Sequence, residues 1–209
     1  MIFEGEELVC VRGERPVFAG LDFRVGDGEI LLLEGRNGAG KSSLLRICSG
    51  LLKAAGGRLL WDGRPADEDW DEHHGRLQYV GHQDALKPVL TVAENLRFWA
   101  RVNGVRVSAG GVDKALERMD LRDLATVPAR FLSAGQRRRV NLARLLATPA
   151  RLWLLDEPTT SLDTVASAML AEVVRDHAAH GGMAMIATHL DLGLAGARRL
   201  ALEPYRLAV

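Results

Sequence analysis

The chain has no apolar run approaching the roughly 18 residues that a membrane-crossing helix needs. Nothing at its start has the basic-then-apolar plan of a signal peptide, because Met1-Ile2-Phe3-Glu4-Gly5-Glu6-Glu7 is acidic. Cysteine is nearly missing: Cys10 and Cys48 are too few for a disulfide framework and belong to no CxxC pair. Both read as small buried apolar residues in a reducing compartment. Net charge is missing as well, with 27 basic residues against 27 acidic ones, so no global field draws the chain to nucleic acid. Lysine is scarce, 4 residues beside 23 arginines, which reflects composition bias rather than a site. There is no internal repeat and no low-complexity tract. What remains reads as a soluble, intracellular chain of 209 residues, enough for one good core with a small inserted subdomain.

One segment carries most of the chemical information. Gly35-Arg36-Asn37-Gly38-Ala39-Gly40-Lys41-Ser42 follows directly on the apolar run Ile30-Leu31-Leu32-Leu33. A buried strand feeding a glycine-rich turn and then a helix aims a row of backbone N–H groups at one point. Gly35, Gly38 and Gly40 let the chain curl around a polyphosphate without Cβ collisions. Lys41 suits the β- and γ-phosphates, and the Ser42 hydroxyl suits Mg²⁺. Together with Ser43, the next residue, these make the expected phosphate-binding set of a nucleoside-triphosphate site.

The opening third reads as strands joined by turns, at Leu8–Val11, Leu21–Val25 and 30–34. A helix is expected from Lys41 to Leu52, ended by Gly56-Gly57, then a strand at Arg58–Trp61 with a tight turn at Asp62-Gly63. Asp67 to Gly75 is polar and reads as a surface loop or short helix; adjacent His73 and His74 with no nearby thiol make poor metal geometry. Leu77–Val80 returns to strand. Thr91-Val92-Ala93-Glu94 is a capping box opening a helix to about Arg101. A loop at Gly104–Gly111, a helix from about Val112 to Met119, and a second capping box at Ser133 and Gln136 follow. Capped helices in succession predict a helical subdomain, roughly 84–148, inserted into an α/β core. The core resumes with a near-continuous apolar strand at Arg151–Leu155 and another buried strand at Met183–Ala187, as expected when both sheet faces are covered. A helix from Asp163 to about His180 separates them.

A buried strand ending in Asp156-Glu157 is the natural partner of a phosphate loop. The first carboxylate suits Mg²⁺, and the second can accept a proton from an attacking water. Leu132-Ser133-Ala134-Gly135-Gln136 places small residues at a helix N-terminus, which is again an anion site. One triphosphate rarely needs two cradles in one chain, so a head-to-tail pair of copies, each closing the other's nucleotide, is the direct solution. Arg137-Arg138-Arg139 point in different directions on a helix and read as a solvated face rather than a nucleic-acid contact.

In this order the elements resemble the nucleotide-binding domain of ATP-binding cassette (ABC) proteins over essentially the whole chain. The resemblance implies an α/β fold: a P-loop NTPase (RecA-like) core at 1–83 and 149–209, an N-terminal antiparallel β region, and the helical subdomain. Gly35 to Ser42 is similar to the family's Walker A loop, and Asp156 with Glu157 to its Walker B acid and catalytic base. Leu132 to Gln136 resembles the signature motif that touches the γ-phosphate held by the other subunit. The resemblance also implies that Gln83 senses Mg²⁺ and the attacking water, that Asp163 belongs to the D-loop, and that His189 is the switch histidine. Two positions depart from the family pattern. Ala134 replaces a glycine, and Arg12, 23 residues before Gly35, stands where an adenine-stacking aromatic is usual. A guanidinium plane also stacks on a base.

Within the family, Gly81–Lys87, Leu90–Trp99 and Leu132–Arg138 are similar to ATPase subunits of the cytochrome c maturation (Ccm) system, although Thr159 falls where those subunits often carry an aromatic. That likeness implies ATP and Mg²⁺ as cofactors and a homodimer on the cytoplasmic face of the membrane. It further implies integral-membrane Ccm subunits of the B, C and small D type as partners, a heme chaperone engaged indirectly, and no nucleic acid. The groove for the membrane part would lie between the Gln83 loop and the 92–101 helix, with Leu96, Phe98 and Trp99 as its apolar surface. Three alternatives stay open. A small-molecule kinase would not need the Ser133 helix or His189; a DNA-handling ABC protein would carry a long coiled coil, and no heptad run is present. An ABC ATPase serving another substrate, such as lipid or lipoprotein, shares every motif.

Overall fold

A computed structural model describes residues 1–105 and 108–206. Strands β1 (Ile2–Arg12), β2 (Arg15–Gly26), β4 (Gly56–Trp61) and β5 (Arg64–Pro65) form an antiparallel sheet in the order β2-β1-β4-β5. The second sheet is parallel and holds β3 (Ile30–Glu34), β6 (Leu77–Val80), β7 (Leu152–Asp156), β8 (Met183–Ala187) and β9 (Arg198–Ala201) in the order β6-β7-β8-β3-β9. Its central strands β7 and β8 are buried at every position because both faces are covered, whereas the edge strand β9 is largely exposed. On β7, Trp153 and Leu155 face a core built with the helices that follow β6, while Leu152 and Leu154 face a second core under the antiparallel sheet. The alternation repeats on β8, with Ala184 and Ile186 on one side and Met183 and Met185 on the other.

Helix α1 (Lys41–Cys48) and the short α2 (Trp70–Gly75) lie in the first half of the chain. Helices α3 (Val92–Val102), α4 (Ala109–Arg118) and α5 (Ala134–Ala147) come between β6 and β7, and α6 (Thr164–Ala179) between β7 and β8. Both expected capping boxes are present: Thr91 with Glu94 opens α3, and Ser133 with Gln136 opens α5. Val92, Leu96 and Ala100, spaced by four, bury one stripe of α3.

Local expectations are corrected at three places. Helix α1 stops at Cys48, four residues early, because Gly50 (φ 74°) turns the chain and its N–H bonds the Ile47 carbonyl. Gly56 and Gly57 do not end a helix; they begin β4. At Gly57 (φ 79°) a Cβ would lie 2.4 Å from the carbonyl oxygens of Glu6 and Glu7, at the register shift between β1 and β4. Helix α4 starts at Ala109 rather than Val112, because the Ser108 side chain caps it through the Gly111 N–H. Residues 106–107 of the expected loop lie outside the described residues.

The carboxyl ends of β7, β8 and β3, three neighbours in the parallel sheet, release the segments that bear Asp156-Glu157, His189 and the Gly35–Ser42 loop. Open parallel sheets bind ligands at this edge.

Candidate nucleotide-binding site

A cleft of about 640 Å³ opens at that edge, lined by Arg12, Val17, the loop from Asn37 to Ser43, Glu157, Thr160 and His189. Gly40 adopts φ 104°, and a Cβ there would come within 2.8 Å of Val17 and Phe18, so glycine is required by both conformation and space. Lys41 is buried, and its Nζ donates to the Gly35 carbonyl at 2.5 Å and the Arg36 carbonyl at 3.3 Å. Gly35 and Arg36 thus form the base of the loop, behind the cleft lining. The Ser42 hydroxyl donates to Oδ1 of buried Asp156 at 2.8 Å, bringing together the hydroxyl and carboxylate expected for Mg²⁺. Two hard oxygens at one cleft edge suit that ion.

Tyr79 also donates to Asp156, at 3.4 Å. Burial first, then the Asp156 charge, pushes the Tyr79 phenol up to about 12, so it stays protonated and remains a donor at neutral pH. Glu157 sits at φ 47°, a left-handed backbone that costs a non-glycine residue about 1–2 kcal/mol. Its N–H bonds the Ala187 carbonyl at 2.8 Å, and its Oε1 lies 3.3 Å from Nε2 of half-exposed His189. Arg12, at the end of β1, lines the cleft beside Val17.

Other expected residues lie outside this cleft. Gln83 sits exposed on the loop after β6. Ser133, Ala134, Gly135 and Gln136 form the N-terminus of α5, where Ser133 Oγ accepts from the Gln136 N–H and Gln136 Oε1 accepts from the Ser133 N–H. A Cβ on Gly135 would stand 2.9 Å from the Ser161 carbonyl, so this turn abuts the segment before α6 of its own chain. Asp163 caps α6, accepting the Ala166 N–H at 2.8 Å.

Two readings are overturned. The arginine run is no solvated face: Arg138 is 2% exposed, Arg137 donates to the Leu132 carbonyl, and Arg139 to the Met119 and Asp120 carbonyls. Leu96 supplies no groove surface, because it is fully buried in the core. Trp99 is half-buried, its Nε1 donating to the Ala85 carbonyl at 2.7 Å while Arg144 stacks on its ring. Sequence reasoning missed Val17, Thr160 and Tyr79; only Tyr79, in the strand that flanks Asp156, left a trace that pattern could have found.

Fold and cleft together define an ATP-hydrolysing P-loop protein of the cassette type. The ABC transporter family model matches residues 18–160, and the chain belongs to that family as an ABC ATPase. Its curated relatives include the cytochrome c biogenesis ATP-binding export protein CcmA of Rhodospirillum rubrum, 54% identical over 98% of this chain and 87% of that protein. The protein of the same name from Paramagnetospirillum magneticum is 52% identical over 99% of this chain and 96% of its own length. Among solved structures, the ATP-binding subunit of an ABC transporter superposes with a TM-score of 0.82 at 24% identity, covering 91% of this chain and 80% of that one.

Proposed function

We propose that the chain is the ATPase subunit of a membrane ABC complex for cytochrome c biogenesis. ATP hydrolysis in it would be coupled to heme export or to release of a heme-loaded chaperone. The observation that carries this reading is the 54% identity to the R. rubrum protein over 98% of this chain. In this reading the polyphosphate rests on the Asn37–Ser43 N–H groups and the Lys41 ammonium, and the base stacks on Arg12. Ser42, Asp156 and, on closure, Gln83 would hold Mg²⁺, which would supply charge neutralisation at the phosphates. Glu157 takes the proton of the attacking water, and His189 orients that carboxylate and the γ-phosphate.

The Ser133–Gln136 turn lies outside the cleft of its own chain. A second copy brings its turn to the γ-phosphate, so the working unit is a homodimer with two shared sites. The segment 84–148 is a helical subdomain that moves with the membrane part, and the chain sits peripherally on the cytoplasmic face. Among the described residues no helix is long and apolar enough to cross a membrane. Phe98 and Trp99, with the loop before α3, form the surface offered to the membrane subunits.

The test is co-purification. The tagged chain is expressed with cytochrome c maturation membrane subunits, or separately with a lipid or lipoprotein permease, and recovered from detergent-solubilised membranes. Retention of the first set alone supports this reading. Retention of the permease alone assigns the ATPase to another substrate.

A further inference from the structure

Arg138 is among the largest fully buried side chains of the molecule, and it spends its donors on backbone. Its Nε donates to the Pro158 carbonyl at 3.1 Å, Nη2 to the carbonyls of Asp156 at 3.2 Å and Glu157 at 2.7 Å, and Nη1 to the Gly81 carbonyl at 2.8 Å. Asp84 supplies the nearest opposite charge, at 3.4 Å from Nη1. A planar fork with five N–H groups is the only side chain able to satisfy so many acceptors at once. Three of the four carbonyls belong to consecutive residues around Glu157, whose φ of 47° needs outside support. The fourth belongs to Gly81, two residues before Gln83. Arg138 itself sits one turn into α5, the helix that starts at the Ser133 turn.

We propose that Arg138 is a positioning residue for hydrolysis: by gripping the Asp156–Pro158 carbonyls it holds Glu157 in the left-handed conformation that aims its carboxylate into the cleft. It is buried and is not among the cleft-lining residues, so it acts through Glu157. Because the same guanidinium binds Gly81, it also sets the Glu157 and Gln83 segments at a fixed spacing from α5. A displacement of that helix's first turn, where the partner's nucleotide is proposed to bind, is therefore carried to the carboxylate of the chain's own cleft. This inference rests on the reading of Glu157 as general base.

The experiment compares Arg138→Lys, Arg138→Gln, Glu157→Gln and the double variant Arg138→Gln/Glu157→Gln, each in the full-length chain assembled with its membrane partners. Turnover and ATP dissociation constant are measured for each. The positioning role predicts kcat lower by about 10–100-fold in both single Arg138 variants, the usual penalty for an ångström-scale misplacement, with ATP affinity within about twofold of the parent. Arg138→Lys, which keeps one charged donor group, should retain more activity than Arg138→Gln. Because Arg138 acts through Glu157, the double variant should be no slower than Glu157→Gln alone. Parental kcat in Arg138→Gln, a double variant slower by the product of the single effects, or loss of ATP binding with the fold in both single variants would each overturn the proposal. Near-normal turnover in Glu157→Gln would instead remove the parent reading, and so marks that failure separately.

Discussion

The ammonium of Lys41 and the carboxylate of Glu203 hold opposite ends of one peptide group. Lys41 Nζ donates to the Gly35 carbonyl at 2.5 Å, and Glu203 Oε1 accepts the Arg36 N–H of that same peptide at 2.6 Å. A charge on each side polarises the amide in the favourable sense and fixes the plane from which the loop begins its curl. Gly35 has φ 149°, and a Cβ there would lie 3.1 Å from both Glu203 oxygens, so the carboxylate reaches this position because the residue is glycine. Glu203 follows β9, the edge strand beside β3, and so comes from the far end of the chain to steady the loop.

Glu203→Ala should therefore weaken ATP binding by roughly 3–10-fold with kcat unchanged, because the loop must be ordered at the expense of binding. Glu203→Gln keeps an acceptor oxygen and should recover most of the affinity. Titration of the purified chain with a fluorescent ATP analogue checks both. The Arg36 N–H, ahead of the Lys41 charge, lowers the Glu203 carboxyl below its usual range. The sign follows: the contact is fully formed above the ordinary carboxylate pKa and is lost as pH falls through the lowered value. ATP affinity should not change through this group near neutrality.

Glu157→Gln should preserve ATP binding and cut turnover by about 10²–10⁴-fold, the range of a lost general base. Its geometry adds a second arm. His189 Nε2 lies 3.3 Å from Glu157 Oε1, so His189→Ala should slow turnover again without loosening ATP. Steady-state phosphate release together with equilibrium ATP binding separates the two parameters, and near-normal hydrolysis in Glu157→Gln would take Glu157 out of the role.

Arg12 predicts a relaxed preference between bases. A guanidinium plane stacks on any π face and does not read base edges, so the affinities for ATP and GTP should agree within about tenfold. Arg12→Ala should weaken both by about fivefold, since base stacking is worth at least ~1 kcal/mol. Competition of ATP and GTP for the fluorescent analogue gives the ratio directly. A parental preference above a hundredfold would show that something other than Arg12 reads the base.

The parts of this site that were legible in the sequence are those whose chemistry is local. The Gly35–Ser42 loop, the two capping boxes and the Asp156-Glu157 strand end each depend on residues within a few positions of one another. Their geometry survives into the fold because β3 and β7 lie one strand apart in the parallel sheet. The parts that were not legible depend on distant chain. Glu203 meets Arg36 across 167 residues, and Arg138 meets Gly81 across 57. No periodicity marks either. Arg138 misled for a physical reason: a basic run on a helix is normally solvated, and only the carbonyls exposed by the Glu157 turn make burial of one guanidinium favourable. Leu96 misled in the opposite direction, because the face of α3 that meets the core could not be oriented before α4 and α5 were in place.

His73 makes the stability of the chain depend on acid. The imidazole is buried, accepts the Trp61 indole N–H at Nδ1 (3.0 Å), and stands against Trp70 and His74. Burial first, then electrostatic interaction with His74 and Arg76, pushes its pKa down to about 4. The folded state thus keeps a neutral ring while the unfolded chain takes up a proton below about 6.5. Stability is full above that value and falls as pH drops from 6.5 toward 4, by on the order of 3 kcal/mol across the window. Thermal midpoints measured from pH 7 to pH 5 should decline. His73→Asn should lower the midpoint overall and flatten the decline, leaving the smaller slope of His177, which burial lowers in the same direction.

Ser133 tests the two-copy site most directly, because its structural and proposed chemical duties can be separated. Its side chain caps α5 through the Gln136 N–H, so Ser133→Ala would lose about 1 kcal/mol of stability whatever its part in hydrolysis. Aspartate also caps helices well, and Ser133→Asp should keep the melting temperature and the monomer's ATP affinity close to the parent. It would, however, set a carboxylate where a serine hydroxyl is proposed to meet the partner's γ-phosphate. Turnover in the assembled complex should then fall by about 10²-fold or more, the scale for losing one donor to a developing anion. ATP-driven dimerisation, followed by size-exclusion chromatography with Glu157→Gln as the trapping background, should be lost in parallel. If Ser133→Asp both dimerises and hydrolyses ATP at the parental rate, the turn at α5 does not reach the neighbour's nucleotide, and each chain closes its cleft by other means.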